Sequence, residues 1–168
     1  MDRPSLYDDD IVTWAEEQAA ALRVLGARSD LSNAVDWENI AEEIESVGRS
    51  QIDSVDSALR LALIHILKYL SAPNAQSTQS WRSEVLVFLR TARKNYRPSM
   101  RQRIDWQDLW TAAMAQAEAQ LTMFGDRLVR GLPNAMPFAP EELVSPDFDM
   151  DRALQRLAEA LDTGPDRH

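Results

Sequence analysis

Glu38, Glu42 and Glu45 stand four and three residues apart, so on a helix their carboxylates share one face. Three carboxylates in such a row have the chemistry to hold a hard divalent cation, with water completing its shell. The competing reading is a solvated or ion-paired outer face, which is how charged helix faces usually behave. Di-metal bundles project their ligands inward, commonly as Glu-x-x-His from paired helices. That pattern occurs nowhere in this chain. No metal and no other cofactor is therefore expected, and Glu42 and Glu45 stand as candidates for binding rather than catalysis.

Glu43 falls at the margin of the apolar face of the same segment, and His65 falls on the same flank if one helix carries both. They are 22 residues apart, or about 33 Å along an ideal helix. Each must then meet a residue of another helix. Arg82 and Arg93 occupy matching margins of the helix that opens at Trp81. Pairs such as Glu43 with an arginine, or His65 with a carboxylate or a backbone carbonyl, are the expectation. A histidine in a buried helix is more often a satisfied core residue than a ligand. The candidate binding set is thus Glu42, Glu43, Glu45, His65, Arg82 and Arg93, with no catalytic residue assigned. The five glycines are scattered, no Gly-x-Ser-x-Gly elbow occurs, and one internal histidine leaves little room for a triad.

A basic run, Arg90, Arg93, Lys94, Arg97 and Arg101, lies opposite Trp81, Phe88 and Ala92. Such a helix face can grip phosphates, but the rest of the chain opposes it. The net charge is −9. Residues 1–59 hold 14 acids and 4 bases, residues 60–104 hold 1 acid and 9 bases, and residues 105–168 hold 12 acids and 5 bases. An acidic whole repels polyanions and anionic lipid, so nucleic acid is the least favoured partner. The acidic residues 38–45 offer the basic run a partner within the fold or across a dimer.

The elements that must position these groups are helical. Apolar residues recur at helical spacing, and no run of alternating β-branched residues suggests a strand. A first helix starts near Asp8 or Asp9 and stops at Gly26, a residue suited to helix ends. Asp36 caps a second helix whose apolar positions, Ile40, Ile44, Val47, Val55, Leu59, Ala62 and Ile66, stay on one side through Gly48. That continuity predicts one long helix over residues 37–70, kinked at 48–50, buried nearly all round from Leu59 onward. Further helices are expected over residues 81–97 with Ser80 as cap, 99–124 after Pro98, and 152–161. Between them Pro133, Pro137, Pro140 and Pro146 alternate with Leu132, Met136, Phe138, Leu143 and Phe148, which reads as an extended strap with one helical turn at 140–144. The five tryptophans are mostly core, and the tail with His168 should fray.

Leu6-Tyr7-Asp8-Asp9-Asp10, the stretch from Asp36-Trp37-Glu38-Asn39 to Val47-Gly48, His65-Ile66-Leu67-Lys68-Tyr69 and Ser80-Trp81-Arg82 follow one another in order. Arg97-Pro98-Ser99-Met100, Leu132-Pro133, Met136-Pro137-Phe138 and Pro146-Asp147-Phe148 complete the set. This series resembles the bacterial family called domain of unknown function twenty-nine, over about residues 5–148. The resemblance implies an all-α bundle of this length and no established activity. Trp110 stands where such sequences often place a tyrosine, which leaves its packing role intact.

The sequence therefore predicts an all-α, up-and-down helical bundle with a long central helix and a proline-rich C-terminal strap. One domain is expected over residues 1–150, followed by an amphipathic helix and tail over 151–168. The 168 residues contain no cysteine, which excludes disulfides and thiolate chemistry. The acidic start lacks the apolar core of a signal peptide, and the most apolar stretch, 59–70, is too short to span a bilayer. A soluble cytoplasmic location and no membrane partner are expected. The preferred reading is a non-enzymatic protein acting through protein–protein contacts, as a homo-oligomer or a regulatory subunit. The alternative is a small metal- or ligand-binding enzyme using Glu42, Glu45 and His65.

Overall fold

Aspartates open four helices among the described residues. Asp10 Oδ1 accepts from the Thr13 amide at 3.1 Å, and Asp36 Oδ1 from the Asn39 amide at 3.2 Å. Asp105 Oδ1 accepts from the Asp108 amide at 2.9 Å, and Asp149 Oδ1 from the amides of Asp151 and Arg152 at 2.9 and 3.2 Å. Each carboxylate satisfies donors that a helix start leaves unpaired and sits at the positive end of the dipole.

The computed structural model describes residues 5–163 apart from Ser29; His168 and the tail beyond Thr163 lie outside the described residues. The elements are α1 (Leu6–Asp9), α2 (Ile11–Gly26), α3 (Trp37–Ser71), α4 (Thr78–Asn95), a 3-10 turn (Pro98–Gln102), α5 (Trp106–Thr122), α6 (Pro140–Leu143) and α7 (Met150–Asp162). No strand occurs among the described residues. The fold class is the all-α helical bundle that the periodicity predicts, with α3 as its long helix. No helix of the described residues is long and apolar enough to cross a membrane.

The chain divides into two units. The first takes the residues up to Ser54 with Arg97–Arg103, and the second takes Val55–Tyr96 and the residues from Ile104 onward. In the first, α2 and the start of α3 pack through small residues. Val12, Ala15, Ala19 and Ala41 are buried, and a Cβ on Gly48 would lie 3.5 Å from Val12 Cα. Gly48 is therefore a place of close helix approach inside an unbroken helix. Gly26 ends α2 against Trp37, where a Cβ would come within 2.5 Å of Trp37 Cβ.

Two expectations are corrected here. Ala41, Gly48 and Val55, seven residues apart, mark the inner side of α3. Ile40 and Val47 fall on its flank and are each 42% exposed, instead of facing a core. The helix expected over 99–124 is likewise not continuous. Pro98 opens a 3-10 turn that buries Met100, and Asp105 takes an extended conformation and starts α5 afresh.

The second unit has the larger core. Leu59, Leu63, Ile64, Ile66 and Leu67 of α3 are fully buried, as are Leu89, Leu109, Trp110, Leu121, Leu143 and Leu157. The proline-rich segment is tied to its neighbours by polar contacts at both ends. Trp110 Nε1 donates to the Pro133 carbonyl at 2.9 Å, and Gln107 Nε2 to the Asn134 carbonyl at 2.7 Å. Phe138 meets Trp110 edge-on, with ring centres 6.4 Å apart. Arg156 of α7 covers Phe138 and grips Glu142 with two hydrogen bonds of 2.6 and 2.9 Å.

Candidate functional site

The acidic row lies in the first unit and is already occupied by this chain's own cations. Arg23 of α2 donates to Glu38 at 3.0 Å and to Glu45 at 2.9 Å, and stands 3.5 Å from Glu42. Arg49, one helical turn beyond Glu45, donates to Glu42 at 2.6 Å. The partner expected for these acids was the basic run at residues 90–101; Arg23 and Arg49 take that role instead. The helix hairpin brings Arg23 to the row, so contact order rather than charge clustering decides the pairing. No group of three metal-ligating side chains occurs among the described residues.

Glu43 is exposed beside Ile40, Ile44 and Val47, and no ion pair to it occurs among the described residues. These residues line a shallow apolar trough of about 480 Å³ along α3. The arginine partner expected for Glu43 is absent there. Arg82 belongs to the second unit, donates to Asp151 at 2.5 Å and lies over the Tyr69 ring at 5.5 Å. Asp151 raises its pKa first of all, through that hydrogen bond. Arg93 is exposed on α4.

His65 does find a carboxylate. Its Nε2 is 3.0 Å from Glu84 Oε2, and its ring stacks on Phe88 with centres 5.6 Å apart. Nδ1 is buried without a hydrogen-bond partner among the described residues. A neutral ring that donates from Nε2 leaves only a lone pair unsatisfied there, whereas an imidazolium would bury an unpaired N–H. Burial, followed by the nearby Lys68 charge, pushes the His65 pKa below the ordinary histidine value, and Glu84 offsets part of this. Ser80 Oγ donates to the other oxygen of Glu84 at 3.1 Å. Hydroxyl and imidazole thus share one carboxylate. A nucleophile needs the imidazole beside the hydroxyl, so this arrangement is not a triad.

One turn after His65 lies a group that the sequence reading passed over. Lys68 sits near the end of α3 and is only 7% exposed. Its Nζ donates to Gln120 Oε1 at 3.0 Å and stands 4.7 Å from the Trp81 ring centre. Burial pushes the ammonium pKa down from the usual lysine value, and Glu84 partly restores it. A cavity of about 430 Å³ opens beside it, with walls that include Trp81, Gln120, Leu121, Phe124 and Asp126. The available signal was a lysine inside a segment apolar on every side. Gln120 and Trp81 carried no signal, because they approach Lys68 only through the packing of α4 and α5.

The fold and these groups define an all-α protein with surface ion pairs in one unit and a buried ammonium at a cavity in the other. The chain belongs to the family described as domain of unknown function DUF29, matched over residues 6–149. It is similar over its fold to an alpha-helical protein of unknown function from Rhodospirillum rubrum, solved by crystallography. The two are 33% identical, with a TM-score of 0.83, covering 92% of this chain and 99% of that one. No curated protein matches the chain.

Proposed function

We propose that the protein acts through protein–protein contact, as a homodimer formed by the flank of α3 that carries Ile40, Ile44 and Val47. The observation that carries this reading is the exposure of that stripe, since apolar side chains grouped on one helix face mark contact sites. The spacing favours a second copy as partner. Ile40 and Val47 lie almost evenly on either side of Ile44, so two such helices placed antiparallel set Ile40 against Val47 twice around a central Ile44. A two-fold interface requires this self-complementarity. Leu6, Tyr7, Val24 and Leu25 are also exposed in the first unit. The row of glutamates supports a structural role, because Arg23 and Arg49 must be displaced before it binds a cation.

Three apolar side chains fall short of the ~800 Å² per partner of a standard stable interface. The dimer is accordingly weak and depends on concentration. Sedimentation equilibrium over a wide concentration range tests it. The native chain should shift from monomer to dimer, and the double substitution Ile40→Asp with Val47→Asp should stay monomeric with its helical circular dichroism intact. A native chain that remains monomeric throughout overturns the reading. So does a dimer that survives both substitutions.

A further inference from the structure

We propose that the cavity beside Lys68 is a binding site for a small organic monocarboxylate with an apolar body. The site lies wholly within the second unit and does not rest on the α3 contact face.

Lysine is among the residues least often buried, and a buried cation normally has an anionic partner. Lys68 is instead hydrogen-bonded to a neutral amide oxygen and set against an aromatic face, with the Glu84 charge acting on it only from beyond ion-pair distance. An ammonium has three N–H donors, of which Gln120 takes one. The indole supplies attraction to the charge but no lone pair. A carboxylate entering the cavity gives the ammonium the charged acceptor that the fold withholds. The cavity also borders the start of α4. Gln76 and Ser77, which line the same cavity, immediately precede α4, and the Ser77 side chain makes no capping bond to that helix. The amides at a helix start favour an anion.

The remaining walls select the rest of the ligand. Trp81 and Leu121 are apolar and buried, and Phe124 is 79% exposed at the rim. Asp126 adds a negative charge to the wall, which opposes a dianion such as phosphate at a site with a single ammonium. The volume falls within the ~300–1,000 Å³ of small-ligand pockets. Burial lowers the ammonium's proton affinity, and a bound anion raises it again, so anion binding and protonation of Lys68 reinforce each other.

Isothermal titration calorimetry with phenylacetate, propionate, phenethylamine and inorganic phosphate tests the assignment, alongside thermal melts with the same compounds. Phenylacetate should bind and raise the melting temperature, phenethylamine should not bind, and phosphate should bind at least tenfold more weakly. Lys68→Met, which keeps the length of the side chain and removes its charge, should lower phenylacetate affinity at least tenfold. Phe124→Ala alters an exposed side chain, and should weaken phenylacetate while leaving propionate unchanged. Absence of phenylacetate binding at millimolar concentration overturns the proposal. Phosphate or phenethylamine binding as tightly as phenylacetate overturns the ligand class. Unchanged affinity in Lys68→Met removes the ammonium from the site. Should Lys68→Met fail to fold, equal loss of both acids in Phe124→Ala, or loss of neither, overturns the assignment instead.

Discussion

The two units solve the burial problem in opposite ways. Among the largest fully buried side chains of the described residues, Met100 alone belongs to the first unit, and all the others belong to the second. The first unit packs helix on helix through alanine and glycine, which lets backbones approach but removes little apolar area from water. Several of its large apolar side chains, including Ile40 and Val47, are left on the surface. The second unit fills its interior with leucine, isoleucine and tryptophan, and it encloses a lysine and a histidine among them. Charges in the first unit are handled outside, by exposed pairs that water screens and that contribute little each. The second has such pairs too, but it also holds Lys68 and His65 inside, where desolvation shifts their proton affinity. A small-residue interface with exposed apolar flanks suits contact with another chain, and a large core with a buried charge suits a ligand pocket.

Trp110 offers the hardest test of this contrast. Trp110→Ala should cost about 3–5 kcal/mol, because it removes a fully buried ring and leaves the Pro133 carbonyl without its donor. Val12→Ala in the first unit removes two methyl-sized groups and should cost about 2 kcal/mol. Urea denaturation of both variants measures the gap, and equal losses would erase the distinction between the cores.

The glycines sharpen the comparison within the first unit. Gly26→Ala drives a Cβ into Trp37 and should destabilise by about 1–3 kcal/mol, as overpacking does. Gly48→Ala places its Cβ at ordinary contact distance from Val12 and Ala15. It should therefore stabilise by up to about 1 kcal/mol through helix propensity. Thermal melts that give both substitutions the same sign would contradict the packing described for α2 and α3.

The smallest effect is in the pH dependence of the second unit. The His65 pKa is lowered in the folded chain, so the unfolded chain takes up its proton first as pH falls. Stability is thus fully present above the ordinary histidine value of about 6.5, and it declines as pH falls from there toward the folded pKa. The carboxylates lowered by hydrogen bonds, such as Glu16 beside Arg103 and Glu118 at the Leu128 amide, act at more acidic pH. His65→Phe should flatten the decline just below pH 6.5, as read from urea midpoints across that range. A decline of the same size in the variant would assign it elsewhere.

Local signals in the chain were enough for most of the helices, though not for the break between the turn at 98–102 and α5. Asp36 with Asn39, Gly26, Pro98 and the periodicity of 55–67 are interactions between near neighbours along the sequence, so α3, the stop of α2 and the turn at 140–143 were legible. The family was legible too, from ordered motifs over nearly the span that matches. Which side of α3 faces inward was not, because small residues at 41 and 48 draw α2 close while carrying almost no hydrophobic signal. Nor were the partners of the acids: Arg23, Arg49 and Asp151 are ordinary surface charges until helices cross. His65 was expected to meet a carboxylate or a backbone carbonyl of another helix, and of the two it meets a carboxylate, Glu84.

By itself the sequence determined the all-α class, the long helix and the absence of thiol chemistry, since these follow from residue type and local spacing. Only the tertiary structure decided that the glutamate row is spent on arginines, and that Lys68 is buried against Trp81 and Gln120 beside a cavity. Burial and polar pairing depend on which side chains meet, Lys68 and Gln120 standing 52 positions apart in the chain, and no local rule carries that information.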